Sequence, residues 1–216
     1  MIATNSWWLT AEMYHEIIEC LVTALEAKDA YTKGHSTRMA DLAYQLGQLV
    51  GLQGDVLEDL HMAAHLHDIG KIGTPDRILN KNGPLLPEEQ LIIRQHPEVG
   101  QQILEQSPHL VGLAKIVRHH HERCDGQGYP DGLRGEDIPL SSRIIAICDA
   151  IDAMSATRPY REALETGECL QQMHNNSGKQ FDPNLVRLME ENGFSIFGTQ
   201  LGYIFFSDYY RQVRVN

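Results

Sequence analysis

Apolar residues return at helical spacing along most of the chain. Between residues 10 and 28, Ile17, Leu21 and Leu25 recur every fourth position with Ile18 and Val22 beside them, which predicts an amphipathic helix capped by Thr10. A break at residues 29–34 leads to a second helix over 35–50 with Met39, Leu42, Ala43, Leu46 and Leu49 on its apolar side and Gly51 as its stop. A third helix, residues 55–68, turns Val56, Leu57, Leu60, Ala63 and Ala64 inward. Its His61 and His65 share one side and read as core-edge or surface residues. His67, rotated by about 200° from His65, lies almost opposite.

Glycine and proline then cluster (Gly70, Gly73, Pro75, Gly83, Pro84), which predicts a long shaped loop over residues 69–87. Pro87 and two acids open the next helix, which runs to His96. Pro97 disfavours helical geometry in the residue before it, so His96 falls at a junction with a further helix holding Val99, Ile103 and Leu104. The helix after Pro108 ends in His119-His120-His121-Glu122; at most two neighbours of such a run can converge on one point. Residues 123–135, rich in glycine and charge, are loop.

A helix over 139–154 follows, with Ser141 as candidate cap and Asp149 interrupting its apolar run; a carboxylate there has to be paired, hydrogen-bonded or metal-bound. Two more helices span 162–175 and 182–192, the second with Asp182 as cap, Pro183 in its first turn and Gly193 as stop. The tail from 194 to 216 is aromatic, and its Tyr203 to Phe206 segment is strand-like. The pattern gives an all-α chain, one domain over 1–193 and a C-terminal extension over 194–216.

Composition narrows the function classes. Four scattered cysteines without a C-x-x-C pair argue against a zinc ribbon or a secreted disulfide framework, and fit a reducing cytoplasm. The N-terminus has no signal-peptide pattern and no run reaches membrane-spanning length. A net charge of -11 argues against binding polymeric nucleic acid, but a cluster of cations could still dock a small phosphate ligand.

The candidate chemistry centres on His67-Asp68, where an apolar helix ends in an imidazole and a carboxylate followed by Lys71 between Gly70 and Gly73. His35, His96, His120, His121 and Asp149, on separate segments, are further candidate ligands. With Lys28-Asp29-Ala30-Tyr31-Thr32-Lys33-Gly34-His35-Ser36, the run from His67 to Asp76, His120-His121-Glu122-Arg123, Asp125-Gly126-Gln127-Gly128-Tyr129-Pro130, Arg158-Pro159-Tyr160-Arg161 and Phe181-Asp182-Pro183, the chain resembles the HD-GYP family of metal-dependent phosphodiesterases over residues 21–188. HD-GYP proteins are a branch of the HD phosphohydrolases.

The resemblance implies a helical bundle of the HD type with extra C-terminal helices and a glycine-rich Gly-Tyr-Pro loop. It implies hydrolysis of cyclic di-GMP to pGpG, and on to GMP in some members, by a hydroxide shared between two metals. Residue by residue, it implies one metal on His35, His67, Asp68 and Asp149, and a second on His96, His120 and His121 with Asp68 bridging. Mixed imidazole and carboxylate ligation suits iron or manganese, with zinc, nickel or cobalt also allowed. Lys71 would meet charge on the phosphoryl oxygens beside the catalytic Asp68; Tyr129, Arg158 and Arg161 would hold substrate.

Two departures matter. Tyr31 replaces a glutamate that helps some members hold a third metal, so two metals are expected. Cys124 replaces the usual tryptophan, so the loop loses a packing surface. A homodimer, and protein partners at the Gly-Tyr-Pro loop, fit the same resemblance. Competing readings are a sensor or scaffold that binds the dinucleotide without turnover, and an HD phosphohydrolase acting on another nucleotide.

Overall fold

The computed structural model describes residues 11–29, 34–155 and 163–197. In chain order the helices are α1 (Ala11–Lys28), α2 (His35–Val50), α3 (Asp55–Leu66), α4 (Asp76–Leu79), α5 (Pro87–Ile93), α6 (His96–Leu104), α7 (Val111–Arg118), α8 (Leu140–Ser155), α9 (Thr166–Asn175) and α10 (Pro183–Phe197). Two 3₁₀ turns, Ile69–Gly73 and Gly135–Asp137, complete the regular structure. No strand occurs among the described residues, and no described helix is long and apolar enough to cross a membrane. The described fold is the all-α bundle that the helical periodicity led to expect.

The bundle is built round α3. From Leu60 to Gly70 every residue is buried, because α1, α2 and α7 pack round the helix and α6 covers the 3₁₀ turn that follows. Helices α2 and α8 pair beside it, and α10 closes on α2. Leu42, Leu46, Leu60, Leu66, Ile144, Ile147 and Ile151 are all below 2 % exposed, each worth roughly 1.5–3 kcal/mol of removed apolar surface. Gly51 stops α2 as expected: at φ 93° it turns left-handed, and the following Leu52 N–H bonds back to the Gly47 carbonyl at 2.9 Å.

Several sequence expectations change under packing. The buried stripe of α1 is Ile18, Val22 and Leu25, whereas Ile17 and Leu21 are exposed; a wide apolar pattern does not say which of its positions meet α3. Val56 is likewise exposed at the free end of α3, and Leu49 faces out. The α-helical part of α3 ends at Leu66, two residues early, because the chain tightens into the 3₁₀ turn. The expected long loop contains that turn and α4, so only part of it is irregular. Helix α7 ends at Arg118, leaving His119, His120 and His121 in turns.

Ser141 does not cap α8. The helix already begins at Leu140, and Ser141 is buried inside the first turn. Helix α9 starts at Thr166, four residues later than expected, where the Glu168 carboxylate accepts the Glu165 N–H at 3.1 Å. Gly193 does not stop α10, which continues to Phe197, past the 193/194 boundary; glycine ends a helix by turning left-handed, and Gly193 is not among the positive-φ glycines. Thr10, Tyr31, Arg158, Arg161 and residues 198–216 lie outside the described residues.

The largest departure is at His61 and His65, which are buried at 6 % and 3 % exposure rather than at the core edge. From Leu60 onward α3 is covered on all sides and has no solvent face, with α1 packed against it. Burial, followed by the neighbouring rings, lowers the pKa of His61 to about 4 and of His65 to about 3. An unfolded histidine titrates near about 6.5. Between these values the unfolded chain binds more protons, so stability is full above about pH 6.5 and is lost on acidification.

Asp41, whose carboxyl burial lifts to about 6, has the opposite sign: below about pH 6 it is protonated in the fold and regains roughly 1 kcal/mol. From these three groups, acidifying chelator-treated protein from pH 7 to 5 is therefore expected to destabilise it by at least about 1 kcal/mol, and the buried, neutral His120 and His121 add in the same direction. Thermal melts across that range check this; a Tm that holds or rises at pH 5 would contradict it.

Candidate metal centre

Five chain segments deliver polar side chains to one place. His35 opens α2 after Gly34, His67 and Asp68 lie between α3 and the 3₁₀ turn, His96 opens α6, His120 and His121 follow α7, and Asp149 projects from α8. Two groups result, one of His35, His67 and Asp149 and one of His96, His120 and His121, each offering three ligand atoms within 4.8 Å of one another. Asp68 stands between them: Oδ2 is 3.2 Å from His67 Nε2 and Oδ1 is 3.3 Å from His96 Nε2.

Close packing of the 3₁₀ turn on α6 sets that separation. A Cβ on Gly70 would lie 1.9 Å from the His96 carbonyl oxygen and 2.5 Å from the Gly100 nitrogen, so only glycine lets Asp68 and His96 approach.

The tautomers can be read from the backbone. His67, His96 and His120 place Nδ1 at 2.8, 2.7 and 2.6 Å from the carbonyls of Ala64, Ile93 and Val117. A carbonyl only accepts, so Nδ1 carries the proton and each Nε2 presents a lone pair to the centre. His96 and His120 thus oppose their Nε2 atoms at 3.2 Å. His67 Nε2 and Asp68 Oδ1 are buried without a hydrogen-bond partner. Unmet lone pairs converging in a buried site are costly unless a cation receives them, and an imidazole and carboxylate set is suited to transition metals.

His35 is oriented differently. Its Nδ1 donates to Asp152 Oδ2 at 2.7 Å, and Arg38 holds the same carboxylate through Nε and Nη2 at 2.8 and 3.0 Å. The other ring nitrogen, Nε2, lies 3.4 Å from Asp149 Oδ1. A carboxylate behind a ligating histidine fixes its tautomer and raises its basicity. Asp152 was missed in the sequence, although its position three residues beyond Asp149 in the same apolar helix was an available signal. Arg38 gave none.

Electrostatics follow this geometry. Burial alone would raise the Asp68 carboxyl, but Lys71, then His67 and His96, hold it well below the usual range. Lys71 Nζ donates to Asp68 Oδ2 at 2.6 Å. Burial pushes His121 down to about 3 and lowers His120 as well, with His121 and His96 adding to the latter, which keeps both rings neutral and able to ligate.

Next to the centre lies a cleft of about 470 Å³ whose lining includes Arg94, His121, Gln127, Tyr129 and Asp149. The Tyr129 ring packs against His121 with centroids 4.9 Å apart, and the Arg94 guanidinium sits 5.0 Å over the Tyr129 ring. Nothing in the sequence singled out Arg94. The loop carrying Tyr129 is fixed despite Cys124: the buried Glu122 carboxylate accepts the N–H groups of Asp131, Gly132 and Leu133 at 2.7, 3.0 and 3.0 Å. Asp125 adds a paired Arg123 and a backbone link to Lys179. Of the three consecutive histidines, His119 turns away, to the Lys115 carbonyl and Asp131.

All seven candidate ligands therefore meet in one place, with Lys71 on Asp68 and Tyr129 on the cleft. Arg158 and Arg161 fall outside the described residues.

Comparison with known proteins bears on the family and the fold. The chain is 40% identical over 178 residues to the cyclic di-GMP phosphodiesterase response regulator RpfG of Xanthomonas campestris pv. campestris, a match covering 81% of this chain and 47% of that protein. It is 38% identical over 183 residues to the 3′3′-cGAMP-specific phosphodiesterase 2 of Vibrio cholerae, covering 84% of this chain and 35% of the relative. The chain thus spans less than half the length of these relatives. Among solved structures, the cyclic GMP-AMP specific phosphodiesterase V-cGAP3 of V. cholerae shares the fold with a TM-score of 0.62 at 23% identity, covering 81% of this chain and 48% of that one. The HD domain pattern matches residues 19–185, nearly the whole described bundle with its His67-Asp68 pair at the centre, and the chain belongs to the HD domain family.

Proposed function

We propose that the chain is a metal-dependent phosphodiesterase that hydrolyses cyclic di-GMP to linear pGpG. The observation that carries this reading is Asp68, with one carboxylate oxygen toward each of two imidazole groups beside an open cleft. His35, His67, Asp68 and Asp149 would hold one cation, and His96, His120 and His121 with the same Asp68 a second. When bound, two such ions, iron or manganese in our reading, supply Lewis acidity to a phosphodiester and lower the pKa of water.

The chain's own groups do the rest. Backbone carbonyls and Asp152 hold the rings in fixed tautomers, so the donor set is organised before substrate arrives. Lys71, 19% exposed at the rim, is placed to shift from Asp68 toward a phosphoryl oxygen as negative charge grows there. Tyr129 gives a nucleobase a flat surface, and Arg94 adds a cation at the same cleft. Arg158 and Arg161 are assigned to the phosphates.

A second reading, a preference for 3′3′-cGAMP, draws on the V. cholerae relative of that specificity. Iron- or manganese-loaded protein incubated with each cyclic dinucleotide and with simple nucleotides, followed by product separation, tests both. Conversion of cyclic di-GMP to pGpG is expected to be fastest. Faster cleavage of 3′3′-cGAMP would favour the second reading, and bound but uncleaved dinucleotide would overturn the enzyme in favour of a sensor.

A further inference from the structure

Outside the centre described above, α1 and α3 bring three more histidines together. His15 lies on the buried stripe of α1 with Ile18, Val22 and Leu25, and faces His61 and His65, one turn apart on α3. Ring centroids are 5.7 Å apart for His15 and His61, 5.3 Å for His15 and His65, and 4.8 Å for His61 and His65. Each ring offers a nitrogen within 4.8 Å of the other two. We propose that His15, His61 and His65 form a second metal site that binds one imidazole-preferring divalent transition cation, zinc foremost, and ties α1 to α3.

Three observations support a ligand here rather than simple packing. First, Nδ1 of His61 and Nδ1 of His65 are buried and have no hydrogen-bond partner, although both residues are more than nine-tenths buried. Apolar side chains would fill the same space without unmet nitrogens. Second, a carboxylate stands behind one ring, Glu19 Oε1 at 3.3 Å from His15 Nε2, and Asp41 Oδ1 lies near a second, 4.0 Å from His61 Nε2 and beyond hydrogen-bond length. The Glu19 pairing is the setting in which a histidine presents its opposite nitrogen to a metal. Third, the His15 side chain keeps 13% of its surface exposed while His61 and His65 are buried, so the group has an entry side at His15. Nitrogens on one tetrahedral zinc with bonds of about 2.0–2.1 Å are roughly 3.4 Å apart, so modest ring rotation closes the group.

The site is distinct from the catalytic candidate. His67 makes its ring contacts with His35 and His120, whereas His61 and His65 make theirs with His15 and Tyr44. Because imidazole nitrogens are its only protein donors, it should prefer zinc, cobalt, nickel or copper over magnesium or calcium. A cation there would fasten α1 to the helix whose end carries Asp68.

The test uses the full chain carrying Asp68→Ala, which disables the main centre, stripped with chelator and reloaded with micromolar Zn²⁺ before gel filtration and metal counting. About one zinc per chain is expected to remain, and adding His15→Ala should remove it. Co²⁺ in place of zinc should give visible absorption bands that the same change abolishes. In the otherwise unaltered chain, saturating zinc should raise Tm by about 5 °C more than in His15→Ala, with dinucleotide hydrolysis unchanged by that substitution. His15 lies at the partly exposed edge of the group, so circular dichroism should show an intact fold; His61→Gln serves as the second variant. Equal zinc content with and without His15, or retention only at millimolar zinc, overturns the proposal. Neither result depends on whether the chain cleaves cyclic di-GMP.

Discussion

Replacing Asp68 with alanine is expected to empty the main centre of metal and to reduce turnover to background. Among the described residues, Asp68 is the carboxylate within 3.3 Å of imidazoles from both groups, His67 on one side and His96 on the other. Loss of a supporting partner costs about 10–100-fold in metal affinity, and loss of a shared ligand should cost at least about 100-fold. The fold should weaken as well, because Lys71 loses its 2.6 Å partner. Breaking a buried pair costs about 3–5 kcal/mol, and the position of Lys71 at the rim lowers this to roughly 2–3 kcal/mol.

Lys71→Ala should behave differently. The seven candidate ligands are untouched, so metal content should stay near that of the unaltered chain while kcat falls by about 10²–10³. Metal analysis and steady-state kinetics on the two variants separate the roles. Equal loss of metal in both would show that Lys71 helps to hold the cations, and unchanged kcat in Lys71→Ala would remove it from the chemistry.

The second large effect is expected from a residue with no chemistry. Gly70→Ala places a Cβ against the backbone of α6, 1.9 Å from the His96 oxygen and 2.5 Å from the Gly100 nitrogen, and backbone atoms inside a packed helix cannot rotate aside. Relief requires the 3₁₀ turn and α6 to separate, which moves Asp68 away from His96. A cost of about 3–5 kcal/mol follows, or roughly a 10 °C fall in Tm for a chain of this size, together with reduced metal retention. Gly73→Ala is the control in the same turn. Its Cβ would meet only the Val99 side chain, at 3.3 Å, so its effect should stay within about 1 kcal/mol. Similar melting temperatures for the two variants would mean that α6 yields more easily than its contacts suggest.

Much of the centre could be read from the chain because ligand chemistry resides in residue identity. An imidazole and a carboxylate at the end of an apolar helix, a histidine after a helix-opening glycine, another before a proline and a carboxylate in an apolar run each stand out, and all seven lie together in the fold. Asp152 was not singled out because its role is defined by His35, 117 residues away in sequence. The same holds for Arg94, whose guanidinium meets the Tyr129 ring on a distant loop. His61 and His65 depart from the sequence expectation for a related reason: their helix pattern is compatible with one exposed side, and the position of α1 covers it.

The sequence by itself determined that the chain is helical, where most of its helices fall, and which side chains could bind metal, since spacing and donor type are local properties. Only the tertiary structure decided which apolar positions of α1 are buried, that α10 passes through Gly193, and that Asp68 faces two imidazole groups at once. Those outcomes depend on which surfaces meet, and contact between segments distant in the chain is set by the packing of the whole bundle.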